Sequence, residues 1–433
     1  MAAHQPSAWM NNYGPFSLMP LTGMPQVQPS ERASHFSHEH EQALPYHYTV
    51  LLDAYKVKVE MAPSPRGGAV EVHPESHTIT GRNSSGAGNS PNFAQYFVAV
   101  FDHPFTRHGV WEIPENGRGR ALANKAAVIA ADAASREGNH VGAYAGFSTR
   151  ESEAVTVRIG VSLISLEQAR RNLDQDLPAA DFDRIAGRAK SEWERQLAKI
   201  DVEGGTEAQR RTFYTALYHA VQFPHMLQEM DASGRMVHWS PYDGKVHPGE
   251  MFADNGFWDT FRAQFPLLTI LEPKKDAEII RAMLHAYDEG GFIPKWPNPG
   301  ETNVIVGTHG ESVIADAYVK GIRDYDVAKA YAALRKDATE KGTGVFQARS
   351  GIEDYIKLGY VPYDHGVRES VAWRGRRTTG TCATRAPASC AAASPTAPGW
   401  SLSIRWHGAA STPRATPGNG CGPCSRTSPA SWS

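Results

Sequence analysis

Cysteine is missing from the first 381 residues of this 433-residue chain. The four cysteines lie near its C-terminal end, at Cys382, Cys390, Cys421 and Cys424. This placement excludes a body stabilised by disulfide bonds. Cys421 and Cys424 form a CxxC pair, but no second CxxC or HxxxH accompanies it, which argues against a zinc or redox site. The histidines between positions 35 and 47 are interpreted as part of a solvated loop, so we predict no metal site from the residues alone.

Acidic residues are missing from the last part of the chain. Residues 373–433 contain seven Arg but no Asp, Glu or Lys, whereas all 46 acidic residues precede them. The first 372 residues therefore carry 37 Lys and Arg against 46 Asp and Glu, a net charge near −9, although the whole chain has −2. Ala, Ser, Thr, Pro, Gly and Arg dominate the segment, together with four Trp and four Cys.

Two explanations of this segment are open. A basic tail would bind nucleic acid, but the Arg residues are scattered, and Trp and Cys are unusual in a solvated tail. A frameshift in a GC-rich gene explains the composition better, because an off-frame reading yields these residue types. We therefore expect the true sequence to continue in another frame after Ala372, and we predict no nucleic-acid partner.

Long apolar runs are also missing. No stretch approaches the roughly 20 apolar residues that a membrane helix needs, which predicts no membrane partner. The first residues, MAAHQPSAWMNNYGPF, lack the basic and apolar regions of a signal peptide. The chain as given is therefore expected either to be cytoplasmic or to lack its true beginning.

The spacing of apolar residues along the sequence changes near residue 165. Before it, segments such as YHYTVLLDAYKVKVEMAP and EAVTVRIGVSLISL alternate apolar and polar residues, with Gly, Asn and Pro between them, as in an antiparallel β-sandwich. After it, segments such as SLEQARRNLDQDL and KKDAEIIRAMLHAYDE have helical spacing. We expect these helices to follow one another without strands between them. The predicted fold class is α+β, with several domains.

Polar and aromatic groups are concentrated in the stretch DNGFWDTFRAQFPLL, residues 254–268. Asp254 or Asn255 is expected to cap a helix here. The residues left over from the apolar pattern are Asp254, Asn255, Trp258, Asp259 and Arg262. Two carboxylates and an indole exceed what packing requires, because a buried carboxylate is costly without a partner. The alternative is an N-cap with a salt bridge from Asp259 to Arg262.

A second such segment is the loop GGFIPKWPNPGETNVIVGTH and the helix after it. Aromatic faces stack on a pyranose, and carboxylates and amides bind its hydroxyl groups, so the two segments predict a sugar site. No P-loop, GxSxG, HExxH or dinucleotide fingerprint is present. The candidate substrate-binding residues are Asp254, Asn255, Trp258, Asp259, Trp296, His309, Glu311 and Asp316.

Several candidates have a structural alternative. Trp258 and Trp296 also suit a hydrophobic core, His309 also suits a helix cap, and Asp316 also suits a structural salt bridge. Hydrolysis of a glycosidic bond needs two carboxyl groups about 5–5.5 Å apart for retention, or roughly 6.5–9.5 Å for inversion. The sequence alone does not identify such a pair.

Several motifs, in the same order, resemble glycoside hydrolase family 92, the calcium-dependent exo-acting α-mannosidases. They are GFSTRESEAVTVRIGVSLISLEQARRNL, EGGTEAQRRTFYTALYHA, GFWDTFRAQFPLLTILEP, the WPNPG loop and GTHGESVIADAYVKGI. The resemblance runs from about His4 to Ala372 and implies an N-terminal antiparallel β-sandwich followed by a partial (α/α) helical toroid. The expected domains are a sandwich at 1–165, a helical linker at 166–204, the first part of the toroid at 205–372 and the anomalous tail at 373–433.

The resemblance also implies an activity, the inverting removal of terminal α-linked mannose from glycans, with α-1,2-mannosidase-like character. A Glu would be the general acid, an Asp would activate water, and calcium would hold O2 and O3 of the mannose. A mannose-containing glycan is the implied partner, and a periplasmic or secreted location is implied.

The acid and base of the family lie in motifs of the EGNAWQY and DDxGxMSAW kind, and neither occurs in this sequence. The catalytic residues are therefore expected in a missing C-terminal part, the start is expected to be clipped, and this chain is expected to be inactive. Two alternatives come from other classes: a carbohydrate-binding protein without catalysis, and a nucleic-acid-binding protein that uses the Arg-bearing tail. Intact coding sequence beyond position 372 would separate the hydrolase from the first alternative.

Overall fold

A computed structural model describes residues 16–28, 31–62, 71–84, 86–113, 126–138, 140–178, 182–305, 307–344, 346, 349–362 and 403–406. The anomalous segment 373–433 lies outside these ranges except for 403–406, and the first 15 residues lie outside them too. The frameshift hypothesis therefore stays a prediction.

The N-terminal region is built from antiparallel strands in three sheets. The strands are β1 (Glu41–Leu44), β2 (His47–Leu52), β3 (Val57–Met61), β4 (Glu71–His73), β5 (Thr78–Asn83), β6 (Gln95–Phe101), β7 (Arg107–Glu112), β8 (Val128–Ala131), β9 (Val141–Gly146) and β10 (Val157–Ser162). The strand orders are β1-β2-β3, β10-β6-β5-β4 and β8-β7-β9, and each pairing is antiparallel. The predicted antiparallel region is confirmed.

One hydrophobic core joins two of these sheets face to face. Val110 of β7 packs in it with residues of the four-stranded sheet, namely Ile79, Phe97, Ala99 and Val161. Because successive residues of a strand point to opposite faces, Val98 of β6 faces the other way. It packs against Ala169 and Leu173 of helix α1 (Leu166–Asp176). The four-stranded sheet is therefore covered on both faces.

Helix α1 begins where the sequence changes period. The hydroxyl oxygen of Ser165 accepts a hydrogen bond from the backbone N–H of Gln168 at 3.0 Å and caps the helix. At Gly160 of β10, an added Cβ would lie 2.4 Å from the carbonyl oxygen of Ala169. Glycine at this position thus allows the helix to pack directly on the sheet.

The rest of the described chain is mainly helical. Its elements are α2 (Phe182–Leu197), β11 (Ile200–Glu203), α3 (Glu207–Ala220), β12 (His225–Met226), β13 (Gln228–Met230), β14 (Met236–Trp239), β15 (Val246–Pro248), β16 (Phe252–Ala253), α4 (Phe257–Thr260), α5 (Gln264–Leu271), α6 (Pro273–Gly290), α7 (Gly310–Val319), α8 (Val327–Thr339), α9 (Ile352–Leu358) and β17 (Ser403–Trp406). One core, which includes Phe265, Ile280, Ile314 and Ala333, joins α5 to α8. The expected order, antiparallel strands and then helices, is confirmed. Within the described ranges, no helix combines the length and apolar character needed to cross a membrane.

The prediction that these helices follow one another without strands is wrong. Strand β11 lies between α2 and α3, and five strands lie between α3 and α4, in the small sheets β12-β16 and β13-β14-β15. The polar segment HWSPYDGKVHPGEMFADN, residues 238–255, overlaps three of them. Strands of two to four residues are too short for an alternating pattern to stand out in the sequence.

A buried polar network ties α1 to β13. Glu229 is 2% exposed, and its carboxylate accepts hydrogen bonds from the backbone N–H of Leu163 and the side-chain amide of Asn172, both at 2.8 Å. The amide of Asn172 also donates to the carbonyl oxygen of Val161 at 2.6 Å. The sandwich and the helical region are thus joined by one buried carboxylate.

We predict that Glu229→Ala lowers the free energy of unfolding by about 1–3 kcal/mol for each of the two donors it leaves without a partner. Chemical denaturation measures this loss. The control is Glu167→Ala, since that side chain is 83% exposed and forms only a surface pair with Arg171. Equal stability of the two variants would contradict the structural role of Glu229.

Candidate functional site

The polar stretch around residue 254 begins at the end of β16 and not at a helix N-terminus. Asp254 has φ 62°, in the left-handed region, and α4 begins only at Phe257, with Gly256 in the N-cap position. The prediction that Asp254 or Asn255 caps this helix is therefore wrong. The physical reason is that the backbone N–H groups of both residues point to the carbonyl oxygen of Pro297, at 2.8 and 3.3 Å, in a neighbouring loop.

The carboxylate of Asp254 bridges two other segments of the chain. The side-chain amide of Asn298 donates to Oδ1 at 2.5 Å, and Nδ1 of His225 lies 2.8 Å from Oδ2. The Asp254 side chain is 3% exposed, whereas that of His225 is 34% exposed. His225 is thus the side of this contact that solvent reaches.

A single buried carboxylate holds the loop that carries Trp296. Glu301 accepts backbone hydrogen bonds from Lys295 at 2.6 Å, from Asn303 at 2.5 Å and from Trp296 at 3.3 Å. Burial raises the pKa of Glu301, while these N–H groups act to lower it. Because several donors converge on one side chain, the loop backbone is fixed from within.

The ring of Trp296 lies against the backbone of Gly256. A Cβ added to Gly256 would come within 3.0 Å of the ring, so the close approach depends on the glycine. The Trp296 side chain is partly exposed. Asn255, which follows Asp254 in the sequence, is buried. The structure thus brings together a set that we call the Asp254 cluster, which consists of His225, Asp254, Asn255, Trp296 and Asn298.

Trp258 and Asp259 lie on an open surface. Trp258 is 43% exposed, and Asp259 is exposed as well. The guanidinium of Arg262 lies 5.0 Å from the ring centroid of Trp258 and 4.9 Å from that of Phe261. The alternative salt bridge from Asp259 to Arg262 is not formed between these two described side chains.

His309 extends the same surface. It occupies the N-cap position of α7, as its structural alternative predicts, but its side chain makes no capping hydrogen bond. Its ring instead stacks on Phe261, with centroids 4.6 Å apart and planes 8° from parallel. Trp258, Arg262, Phe261 and His309 therefore form a row of stacked planar groups, which we call the planar row.

Glu311 and Asp316 lie on the next helix, α7, in different surroundings. Glu311 is in the first turn, and its Oε2 is closed to solvent. Asp316 forms an ion pair with Lys320 at 2.5 Å, and Lys320 also donates to the hydroxyl of Thr269 at 3.0 Å. Burial and then the charge of Asp316 raise the pKa of Asp276 to about 7. These contacts correspond to the salt-bridge alternative for Asp316.

His225 and Asn298 bind Asp254 directly, and the sequence does not identify His225 as a candidate. Asn298 lies in the WPNPG loop two positions after Trp296, and this position is the sequence feature that marks it as a candidate. Nothing in the local sequence marks His225. It reaches Asp254 because β12 pairs with β16 and places His225 opposite Ala253, a long-range pairing that periodicity does not reveal.

The described residues do not form a calcium site. Within the described ranges, no three His, Cys, Asp or Glu side chains are grouped so that they could hold a metal ion. The Asp254 cluster offers one carboxylate, already bound to Asn298 and His225, whereas calcium takes about 6–8 oxygen ligands.

Comparison with known proteins places this geometry in a family. The family model of the glycosyl hydrolase family 92 catalytic domain matches residues 168–379. The model of the N-terminal domain of the same family matches residues 1–73 and 64–162. Both the sandwich and the helical region are therefore covered.

Solved structures agree with these matches. A family GH92 inverting mannosidase from Bacteroides thetaiotaomicron VPI-5482 superposes with a TM-score of 0.77 at 35% identity, over 84% of this chain and 51% of that chain. A GH92 α-mannosidase from Bacteroides thetaiotaomicron gives a TM-score of 0.69 at 26% identity, over 83% of this chain and 52% of that chain. Another structure of that enzyme is a complex with mannoimidazole.

A curated relative is an uncharacterized secreted glycosidase from Arthroderma benhamiae, which is 27% identical over 223 residues. That match covers 49% of this chain and 24% of the relative. This chain spans about half the length of the solved mannosidases. Because the two family models together match most of its length, the chain belongs to glycosyl hydrolase family 92.

Proposed function

We propose that this chain supplies the sandwich and the first catalytic-domain helices of an exo-acting α-mannosidase that removes terminal α-linked mannose from glycans. The observation that carries the proposal is the 35% identity to an inverting mannosidase over 84% of this chain. The mannoimidazole complex of a second relative supports a mannose-type ligand. As in the secreted relative, the complete protein would act outside the cytoplasm, in a periplasmic or secreted form.

In this proposal the Asp254 cluster binds the terminal mannose. Trp296 supplies an aromatic surface for the apolar face of the sugar. His225, which solvent reaches, presents its imidazole to a hydroxyl group. Asp254 holds His225 and Asn298 in place through the two oxygens of one buried carboxylate. The cluster therefore orients the sugar and transfers no proton.

The planar row would bind the next part of the glycan. Its rings are exposed or half-buried, and Asp259, the residue after Trp258, is exposed as well. Flat groups stacked in series suit a chain of pyranose rings. Glu311 and Asp316, which are also candidate substrate-binding residues, lie on α7, where Asp316 forms an ion pair with Lys320.

We further propose that the complete enzyme inverts configuration, depends on calcium and has α-1,2-mannosidase-like specificity. The general acid, the general base and the calcium ligands would then come from sequence that this chain does not contain, since the EGNAWQY and DDxGxMSAW kinds of motif are absent. The function of the residues present would be to bind and orient the terminal mannose. Non-catalytic carbohydrate binding is the outcome if an extended chain binds mannosides without cleaving them.

Trp296→Ala and Asp254→Asn should each weaken the binding of methyl α-D-mannoside or mannoimidazole at least about tenfold, or about 1.4 kcal/mol. The first removes the stacking surface, and the second removes the charge that holds His225. Isothermal titration calorimetry measures the affinity, with Asp174→Asn, an exposed residue of α1, as the matched control. Affinities within about threefold of the parent in both folded variants would show that the cluster is not the sugar site.

Asp316→Asn separates the two interpretations of that residue. If Asp316 only pairs with Lys320, mannoside affinity stays near that of the parent and only the surface ion pair is lost, at about 0–1 kcal/mol of stability. A tenfold loss of affinity would place Asp316 in the site.

The chain of 433 residues, supplied with calcium, should show no hydrolysis of an aryl α-mannoside. The reason is chemical, because inverting hydrolysis needs a paired acid and base. The same assay on a protein extended in the alternative frame after Ala372 should show turnover. Calcium-dependent turnover by the present chain would contradict the proposal and would make Asp254, Asp259, Glu311 and Asp316 the first residues to test.

A further inference from the structure

The N-terminal sandwich touches the helical region through the segment that joins β5 to β6. We call residues 86–94 of this segment the sandwich loop. Its Phe93 packs edge to face on Trp239, with ring centroids 5.4 Å apart, in a shared hydrophobic core. A Cβ added to Gly244 would lie 2.7 Å from the carbonyl oxygen of Pro91. The sandwich loop therefore lies directly on β14 and on the turn between β14 and β15.

Gly300 is the point at which the sandwich loop meets the Trp296 loop, the segment 291–309 between α6 and α7. Gly300 is buried, and a Cβ added to it would lie 2.7 Å from the hydroxyl oxygen of Ser90 and 2.6 Å from the carbonyl oxygen of Pro241. A real Cβ atom essentially never approaches another heavy atom so closely. Because the oxygen of Pro241 belongs to the backbone, it cannot turn away as the end of a side chain can. Glycine alone fits here without a shift of the loop.

The turn that carries Pro241 is held by its own hydrogen bonds. The hydroxyl oxygen of Ser240 accepts from the backbone N–H groups of Tyr242 at 3.1 Å and of Asp243 at 3.2 Å. The backbone N–H of Ser240 donates to the carbonyl oxygen of Lys245 at 2.7 Å. Ser240 is fully buried, so water does not compete for these bonds. An added side chain at position 300 would therefore displace the Trp296 loop and not this turn.

Two hydrogen bonds lead from Gly300 to the Asp254 cluster. The carbonyl oxygen of Gly300 accepts from the backbone N–H of Asn298 at 2.7 Å. The side-chain amide of Asn298 then donates to Asp254 at 2.5 Å. Hydrogen bonds weaken steeply when their distance and angle depart from the preferred range. A displacement of Gly300 would therefore be passed on to Asn298 and to its contact with Asp254.

We propose that Gly300 is a positioning residue, and that the sandwich loop, through Ser90, fixes where Asn298 and Trp296 lie. The sandwich thus aligns a site whose side chains all belong to the helical region. Binding residues must be held to a fraction of an ångström, and elements packed behind them supply that support. The consequence for sugar binding rests on the proposed function, whereas the contact and its effect on the Trp296 loop do not.

Gly300→Ala tests the contact from the side of the Trp296 loop. In the whole chain, we expect amide hydrogen exchange of residues 295–303 to become at least about tenfold faster, because the displaced loop loses the bond at Asn298. We also expect the affinity for methyl α-D-mannoside to fall at least about fivefold. The control is Gly187→Ala in α2, where an added Cβ meets nothing within 4 Å, and both measurements should match the wild type.

Ser90→Leu tests the same contact from the sandwich, so that a failure of one variant to fold leaves the other. The larger side chain must displace Gly300, and exchange should become faster in residues 295–303 although the substitution lies in another domain. Ser191→Leu, on an exposed position of α2, should leave that segment unchanged. Adding Ser90→Ala to Gly300→Ala should recover part of the lost affinity, since it removes the contact with the hydroxyl and leaves the contact with Pro241.

The outcomes separate this proposal from the proposed function. Wild-type exchange of residues 295–303 in both folded variants would overturn the positioning role. Faster exchange with an unchanged mannoside affinity would overturn the link between the sandwich loop and the sugar site. If the wild type binds no mannoside while both variants show faster exchange, the positioning of the Trp296 loop is supported and the proposed function is contradicted.

Discussion

The hydrogen bond from Asn298 to Asp254 joins two segments that lie 44 positions apart in the chain, and the candidate site depends on it. Each of the two residues is held in place by contacts of its own segment. Asp254 follows the strand β16, whose pairing with β12 also delivers His225. Asn298 belongs to a loop whose backbone is tied to Glu301. A preformed site of this kind spends little conformational entropy when a ligand binds.

Buried carboxylates organise this protein at each junction we have described. Glu229 joins α1 to the small sheet, and Glu301 holds the backbone of the Trp296 loop. Such groups are costly to bury unless every oxygen finds a donor. Each one therefore permits few arrangements of its neighbours, which makes the backbone around it specific. The apolar core of α5 to α8 stabilises the helical region, and the buried carboxylates fix the backbone arrangement around them.

The sequence predicted the parts of the fold that rest on periodicity. Alternation in β3 and β10 and the helical spacing of α1 and α6 are long enough to read, and the change near Ser165 is where α1 begins. The short strands β12 to β16 were not predicted, because they are defined by their pairing partners and not by a local sequence pattern. The helix cap predicted at Asp254 failed for a related reason. A loop more than 40 residues away uses the polar groups that would otherwise cap the helix.

The candidate site shows the same division between local and long-range information. Asp254, Asn255 and Trp296 were selected by residue type, because polar and aromatic residues beyond those that packing requires can be identified from the linear sequence. His225 could not be selected, since its importance comes only from the side chain that it meets. Binding of methyl α-D-mannoside followed by hydrogen exchange tests most directly whether the two segments form one site. We predict that the sugar slows exchange in both 252–256 and 293–301, whereas slowing in neither segment, or in only one of them, would contradict a shared site.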